Sequence, residues 1–71
     1  MKTWERKGYK VVERPFDRDL HEFDVVMEYG EVVGTITPAT LKDMATIVAD
    51  LDAGEDVDGW EDGRGNTIYV R

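Results

Sequence analysis

No cysteine occurs among the 71 residues, which excludes disulfides and thiolate metal centres and leaves no argument for an oxidising compartment. Proline occurs only at Pro15 and Pro38, and His21 is the single histidine. No apolar run approaches the roughly 20 residues that span a bilayer. The opening Met1-Lys2-Thr3-Trp4-Glu5-Arg6-Lys7 is charged with no apolar stretch behind it, so it does not read as a signal peptide. The most telling absence is of positive charge. Between Asp43 and Asp62 there are eight acids and no Lys or Arg. Residues 1–42 are close to balanced, and Arg64 and Arg71 follow the acidic block, so the net charge of −7 is concentrated in one stretch.

At this length only one domain is expected, spanning 1–71, near the lower limit for a core without staples. With 41% hydrophobic residues and seven aromatics, the chain is expected to fold as a soluble, cytoplasmic, compact unit. Tyr9-Lys10-Val11-Val12-Glu13-Arg14, closed by Pro15, reads as a strand near an edge. Phe23, Val25, Met27 and Tyr29 alternate with Asp24, Val26 and Glu28 as in a half-buried strand. Gly30 separates this run from Val32-Val33-Gly34-Thr35-Ile36, the spacing of a β-hairpin.

Leu41, Met44, Ile47, Val48 and Leu51 fall at helical spacing and predict an amphipathic helix of about 14 residues. Thr37 (ahead of Pro38) or Thr40 (ahead of Asp43) is its N-cap, and Gly54 ends it. Asp50 and Asp52 lie in the last turn, where the helix dipole disfavours negative charge. Residues 54–66 read as an acidic, glycine-rich loop, and Thr67-Ile68-Tyr69-Val70 as a short last strand. Residues 1–7 read as a basic tail, flexible except where Trp4 caps one end of the core. The expected fold class is α+β: a small antiparallel sheet, in the order β-β-β-α-loop-β, packed on one amphipathic helix through Val11, Phe23, Val25 and Met27.

The residues needed for catalysis are missing. There is no thiol nucleophile, no Gly-x-Ser-x-Gly turn and no Gly-Lys-Ser/Thr phosphate loop, and His21 lies in a polar connection. The acidic block fails as a calcium loop, because Gly54 stands where an EF-hand needs a ligand and Glu55 where it needs glycine. No catalytic residue, metal ligand or cofactor is therefore expected. Four bases around Trp4 and Tyr9 make too weak a footprint for nucleic-acid binding on so acidic a molecule. A one-sign field of this kind steers basic partners and repels nucleic acid and anionic membranes. The candidate partner-binding residues are Asp43, Asp50, Asp52, Glu55, Asp56, Asp58, Trp60, Glu61 and Asp62. Trp60 is either a loop anchor folded onto the core or an exposed aromatic hot spot ringed by acids. Asp56 and Asp58, in a glycine-rich loop, are expected to carry little packing.

Gly59-Trp60-Glu61-Asp62-Gly63-Arg64-Gly65-Asn66-Thr67 resembles an ending found in short phage and prophage proteins. In size, acidity and lack of cysteine the chain is similar to anti-CRISPR proteins. That resemblance implies a phage-encoded inhibitor, a nucleic-acid mimic occupying the DNA-binding surface of a CRISPR effector nuclease. It assigns no role to any single residue. The alternatives are an antitoxin, immunity or transcription-accessory module bound to another basic protein, and an assembly protein whose acids serve solubility. A monomer or weak homodimer is expected.

Overall fold

A computed structural model describes residues 1–71. Strands β1 (Thr3–Arg6), β2 (Tyr9–Asp17), β3 (Leu20–Met27) and β4 (Val32–Ile36) form an antiparallel sheet in the spatial order 1-2-3-4, followed by helix α1 (Leu41–Asp52). The class is the α+β fold expected from the sequence, but the order of elements differs at both ends.

The first seven residues are not a tail. Thr3–Arg6 pairs with Tyr9–Val12, and Trp4 is buried against Phe23 with ring centroids 5.9 Å apart. Alternation places Trp4 on the core face while Thr3 and Glu5 stay in solvent. Three charges in four neighbouring residues concealed this short strand from a hydropathy reading. Pro15 is compatible with its place in β2 because β1 ends opposite Val12, so the Pro15 side has only β3 as a neighbour.

The last segment is not a strand of the sheet. Thr67 forms an isolated bridge with Glu61, and residues 68–70 fold back along the preceding loop. Ile68 and Val70 are nevertheless buried, with Tyr69 exposed between them. The β propensity of this segment predicts a strand, but the chain here is a loop whose apolar residues close the core without joining the sheet.

Helix α1 begins at N-cap Thr40, whose hydroxyl accepts the Asp43 N–H, and runs for 12 residues. Pro38 is buried in the connection ahead of it, so Thr37 is not the cap. The helix ends in a Schellman motif. Gly54 adopts φ 90°, its N–H bonds to Leu51 O, and the Glu55 N–H bonds to Asp50 O. Of the apolar stripe only Leu51 is fully buried. Met44, Ile47 and Val48 are half-buried and Leu41 is exposed. The core is completed by Val57, Ile68 and Val70 from the C-terminal loop, which covers part of the sheet that the helix leaves open. Helix α1 is too short to cross a membrane.

Candidate protein-binding surface

The acidic block divides into carboxylates that build the fold and carboxylates that face solvent unpaired. Asp52 accepts the Trp4 indole N–H at 2.8 Å and pairs with Lys2 at 3.2 Å. These two donors, the indole first, hold its carboxyl below the usual range. Asp56 accepts from the Arg71 guanidinium, from the Tyr9 hydroxyl at 2.8 Å and from the Asp58 N–H. Its pKa is lowered to about 2, chiefly by Arg71 and then Tyr9. Asp58 in turn accepts the Val70 N–H at 3.0 Å and lies 3.5 Å from Arg71. The expectation that Asp56 and Asp58 carry little packing is therefore overturned. They fasten the C-terminal segment to β2 through Tyr9, whose hydroxyl also accepts the buried Val57 N–H.

Asp62 is buried at 8% exposure and staples a turn. One of its oxygens accepts the N–H groups of Arg64 and Asn66, and the other accepts the Asn66 side-chain amide. The Arg64 N–H does most to lower its pKa, and the Asn66 donors add to this against the opposing effect of burial. Gly63, at φ 86°, lies so close to β4 that a Cβ would stand 2.4 Å from the Thr37 carbonyl oxygen. The run Gly59–Thr67, the part of the sequence that carries the resemblance, is thus an Asp-stapled reverse turn. Its backbone is joined to the sheet where the Thr37 N–H bonds to Asp62 O. Trp60 is half-buried and packs against the core, the loop-anchor role.

Four of the nine candidate residues remain exposed with no internal cation: Asp43 and Asp50 on α1, and Glu55 and Glu61 in the loop. All seven ion pairs of the molecule involve other acids. Asp50 is left unpaired although it sits near the C-terminal end of the helix dipole. Arg6 of β1 offsets that end, donating to Leu51 O at 2.7 Å and to Glu55 O at 3.2 Å. Helix α1 has no base of its own in its last turn, so the capping cation comes from a strand. No spacing rule could have shown this.

Sequence reading also missed a buried ionic cluster. Glu22, 3% exposed, takes Arg14 at 2.8 Å on one oxygen, and Arg64 at 3.1 Å and the Thr37 hydroxyl at 2.6 Å on the other. Arg14 also binds Asp24, which accepts the Thr35 hydroxyl. Every buried polar side-chain atom in the molecule has a partner. Alternation places Glu22 on the face opposite Phe23, and its burial there depends on Arg14, Thr37 and Arg64 converging from other parts of the chain.

A cleft of about 370 Å³ lies between the β1–β2 and β3–β4 turns, with Glu5, Arg6, Tyr9, Lys10, Met27 and Glu28 among its lining residues. Its charges are mixed and it holds no nucleophile paired with a base. His21 is on the core side of β3, 2.7 Å from Glu13, and its backbone N–H points at Met44 Sδ. No group of three carboxylate or imidazole side chains is arranged to hold a metal ion. Comparison with known proteins returned no matching family model, no similar curated protein and no similar solved structure.

Proposed function

We propose that the chain is a non-enzymatic inhibitor that binds a basic, nucleic-acid-reading protein by offering carboxylates in place of phosphates. One observation carries the reading: Asp43, Asp50, Glu55 and Glu61 stay exposed and unpaired while the neighbouring acids are consumed by the fold. Asp43 and Asp50 lie two helical turns apart on one face, about 10.5 Å along the axis. That distance equals about three 3.4 Å steps of one DNA strand. Arg side chains that read phosphates bind carboxylates with the same bidentate geometry. A CRISPR effector nuclease, which reads a short duplex motif through arginines, is the partner class implied by the resemblance in size and acidity to anti-CRISPR proteins, alongside the phage-like ending Gly59–Thr67.

The test is competition. Purified effector–guide complexes are given labelled target duplex with and without the protein, and bound DNA is measured. Competition is expected from the native chain and is expected to be lost in Asp43→Lys/Asp50→Lys. Asp17→Lys/Asp19→Lys makes the same charge change at the exposed β2–β3 turn and should retain it. Failure of the native chain to displace DNA, or equal loss in both variants, removes the mimic reading.

A further inference from the structure

The two edges of the sheet are not equivalent. On the β1 edge the outward carbonyl of Glu5 is taken by Arg6 at 3.2 Å, and Lys2, Glu5 and Lys7 surround it with charge. Such charges discourage strand addition. The β4 edge, Val32-Val33-Gly34-Thr35-Ile36, has no charge, and Val32 is 53% exposed. Phe23 pairs with Ile36 and Val25 with Gly34, so the parity of the ladder turns the N–H and C=O of Thr35 away from β3. Beyond Gly34 the register shifts, so that Val32 stands opposite Val26 and Val33 is the unpaired residue of a bulge. Thr37 confirms the direction, since its N–H points outward to Asp62 O. The C-terminal loop stops there. No backbone hydrogen bond from outside the sheet reaches Val33 or Thr35.

We propose that the outer edge of β4 receives an extended, lysine- or arginine-bearing segment of the partner protein as a fifth strand. This rests on the inhibitor reading above and specifies how the partner is held. Charge selects the occupant. Glu31 stands at one end of the edge, and Glu61, next to the Asp62 that pairs with Thr37, stands at the other. Both are exposed and without an ion partner. The nearby cation, Arg64, is held by Glu22. A second copy, also of net charge −7, would bring the same acids together along the seam, whereas a basic strand would neutralise them. Main-chain bonds at Thr35 would give the attachment, and the flanking acids its selectivity.

The experiment titrates the full ¹⁵N-labelled chain with an eight-residue peptide alternating Lys with Thr or Val. A second sample receives the same peptide N-methylated at alternate amides. In the free protein the Thr35 amide is expected to exchange rapidly with solvent. With the unmodified peptide, exchange at Thr35 is expected to slow by about tenfold or more, and the methylated peptide is expected to have no effect. Thr35→Pro removes the outward donor, and Glu31→Lys/Glu61→Lys reverses the flanking charge. Each is expected to weaken peptide binding by about tenfold. Because the methylated peptide needs no variant, the outcome stands even where Thr35→Pro fails to fold. Shifts confined to Asp43 and Asp50, or protection of Thr35 in concentrated protein alone, overturn the proposal, the latter in favour of a second copy. Unprotected Thr35 alongside intact DNA competition removes the edge and leaves the mimic reading. Protection by the peptide without DNA competition supports the edge and removes the mimic reading.

Discussion

The indole nitrogen of Trp4 and the carboxylate of Asp52 meet at 2.8 Å, joining the second residue of an edge strand to the last residue of the helix. Because Lys2 binds the same carboxylate, β1 is anchored to α1 by an ion pair and a hydrogen bond at once. Trp4→Phe keeps the ring against Phe23 but removes the N–H, and should lower stability by about 1–2 kcal/mol in urea unfolding. Asp52→Ala should also lower the urea midpoint. Asp50→Ala, two residues away and unpaired, should leave the midpoint unchanged or raise it, since it removes negative charge from the C-terminal end of the helix dipole. Equal losses at 50 and 52 would show that the anchor is not formed.

Acid should weaken the fold in a defined window. The carboxyls of Glu13, Asp52, Asp56 and Asp62 are all lowered from their ordinary values. For Glu13, the bonds from His21 and the Lys2 N–H outweigh the upward push of burial. A lowered carboxyl binds its proton less readily when folded than when unfolded. Its contribution is therefore complete above the unfolded value and disappears as pH falls toward the folded one. Stability should be flat from neutrality to about pH 5 and fall from there toward about pH 2. Asp56→Asn should be less stable at neutral pH and should show a shallower decline. A variant with the native slope would mean that Arg71 and Tyr9 do not hold this group.

Charge reversal at Asp56 and Asp58 should damage the fold as well as the charge. Asp56→Lys/Asp58→Lys places two cations against Arg71 and leaves the Val70 N–H without its acceptor. The thermal midpoint should fall far more than for Asp43→Lys/Asp50→Lys. Loss of partner binding in the former pair would therefore say nothing about the binding surface.

Glycine at 63 is required twice, by its left-handed backbone and by its approach to Thr37. Gly63→Ala should cost more than about 2 kcal/mol, since a carbonyl of the chain must move. Gly65→Ala shares the left-handed φ but meets open space, and should cost about 1 kcal/mol. The difference between the two, read from thermal melts, measures the contact itself.

The helix stripe should prove uneven. Leu51 is 1% exposed and Leu41 53% exposed. Leu51→Ala should cost about 2–5 kcal/mol, whereas Leu41→Ala should stay within about 0.5 kcal/mol. Similar losses would mean that Leu51 is not the buried anchor of the helix.

What could be read in the chain divides by range. The N-cap was narrowed to Thr37 or Thr40, while the hairpin at Gly30, the stop at Gly54 and the core face of Val11, Phe23 and Val25 all rest on neighbours a few residues apart and were legible. Strand β1 was not, because its partner-facing residue Trp4 is surrounded by charges that read as solvated. The acidic character of the surface was legible as composition, and helical spacing placed Asp43 and Asp50 away from the apolar stripe, where the structure leaves both exposed. The structural roles of Asp52 and Asp56 depend on Trp4 and Tyr9, 48 and 47 residues away. Such separations are set by how the helix and loop settle on the sheet, which alternation and spacing do not encode.

The meander order of the sheet also fixes a sequence of events in time. Each hairpin closes over only a few residues, so the four strands can pair before any distant part of the chain arrives. The contacts from Arg6 to Leu51, Trp4 to Asp52 and Tyr9 to Asp56 must close loops of 45 to 48 residues and so form late. Weakening them should leave the refolding rate nearly unchanged and accelerate unfolding. The molecule's lifetime against opening should therefore depend on these three clasps, and on the core packing that closes with them, more than on the sheet itself.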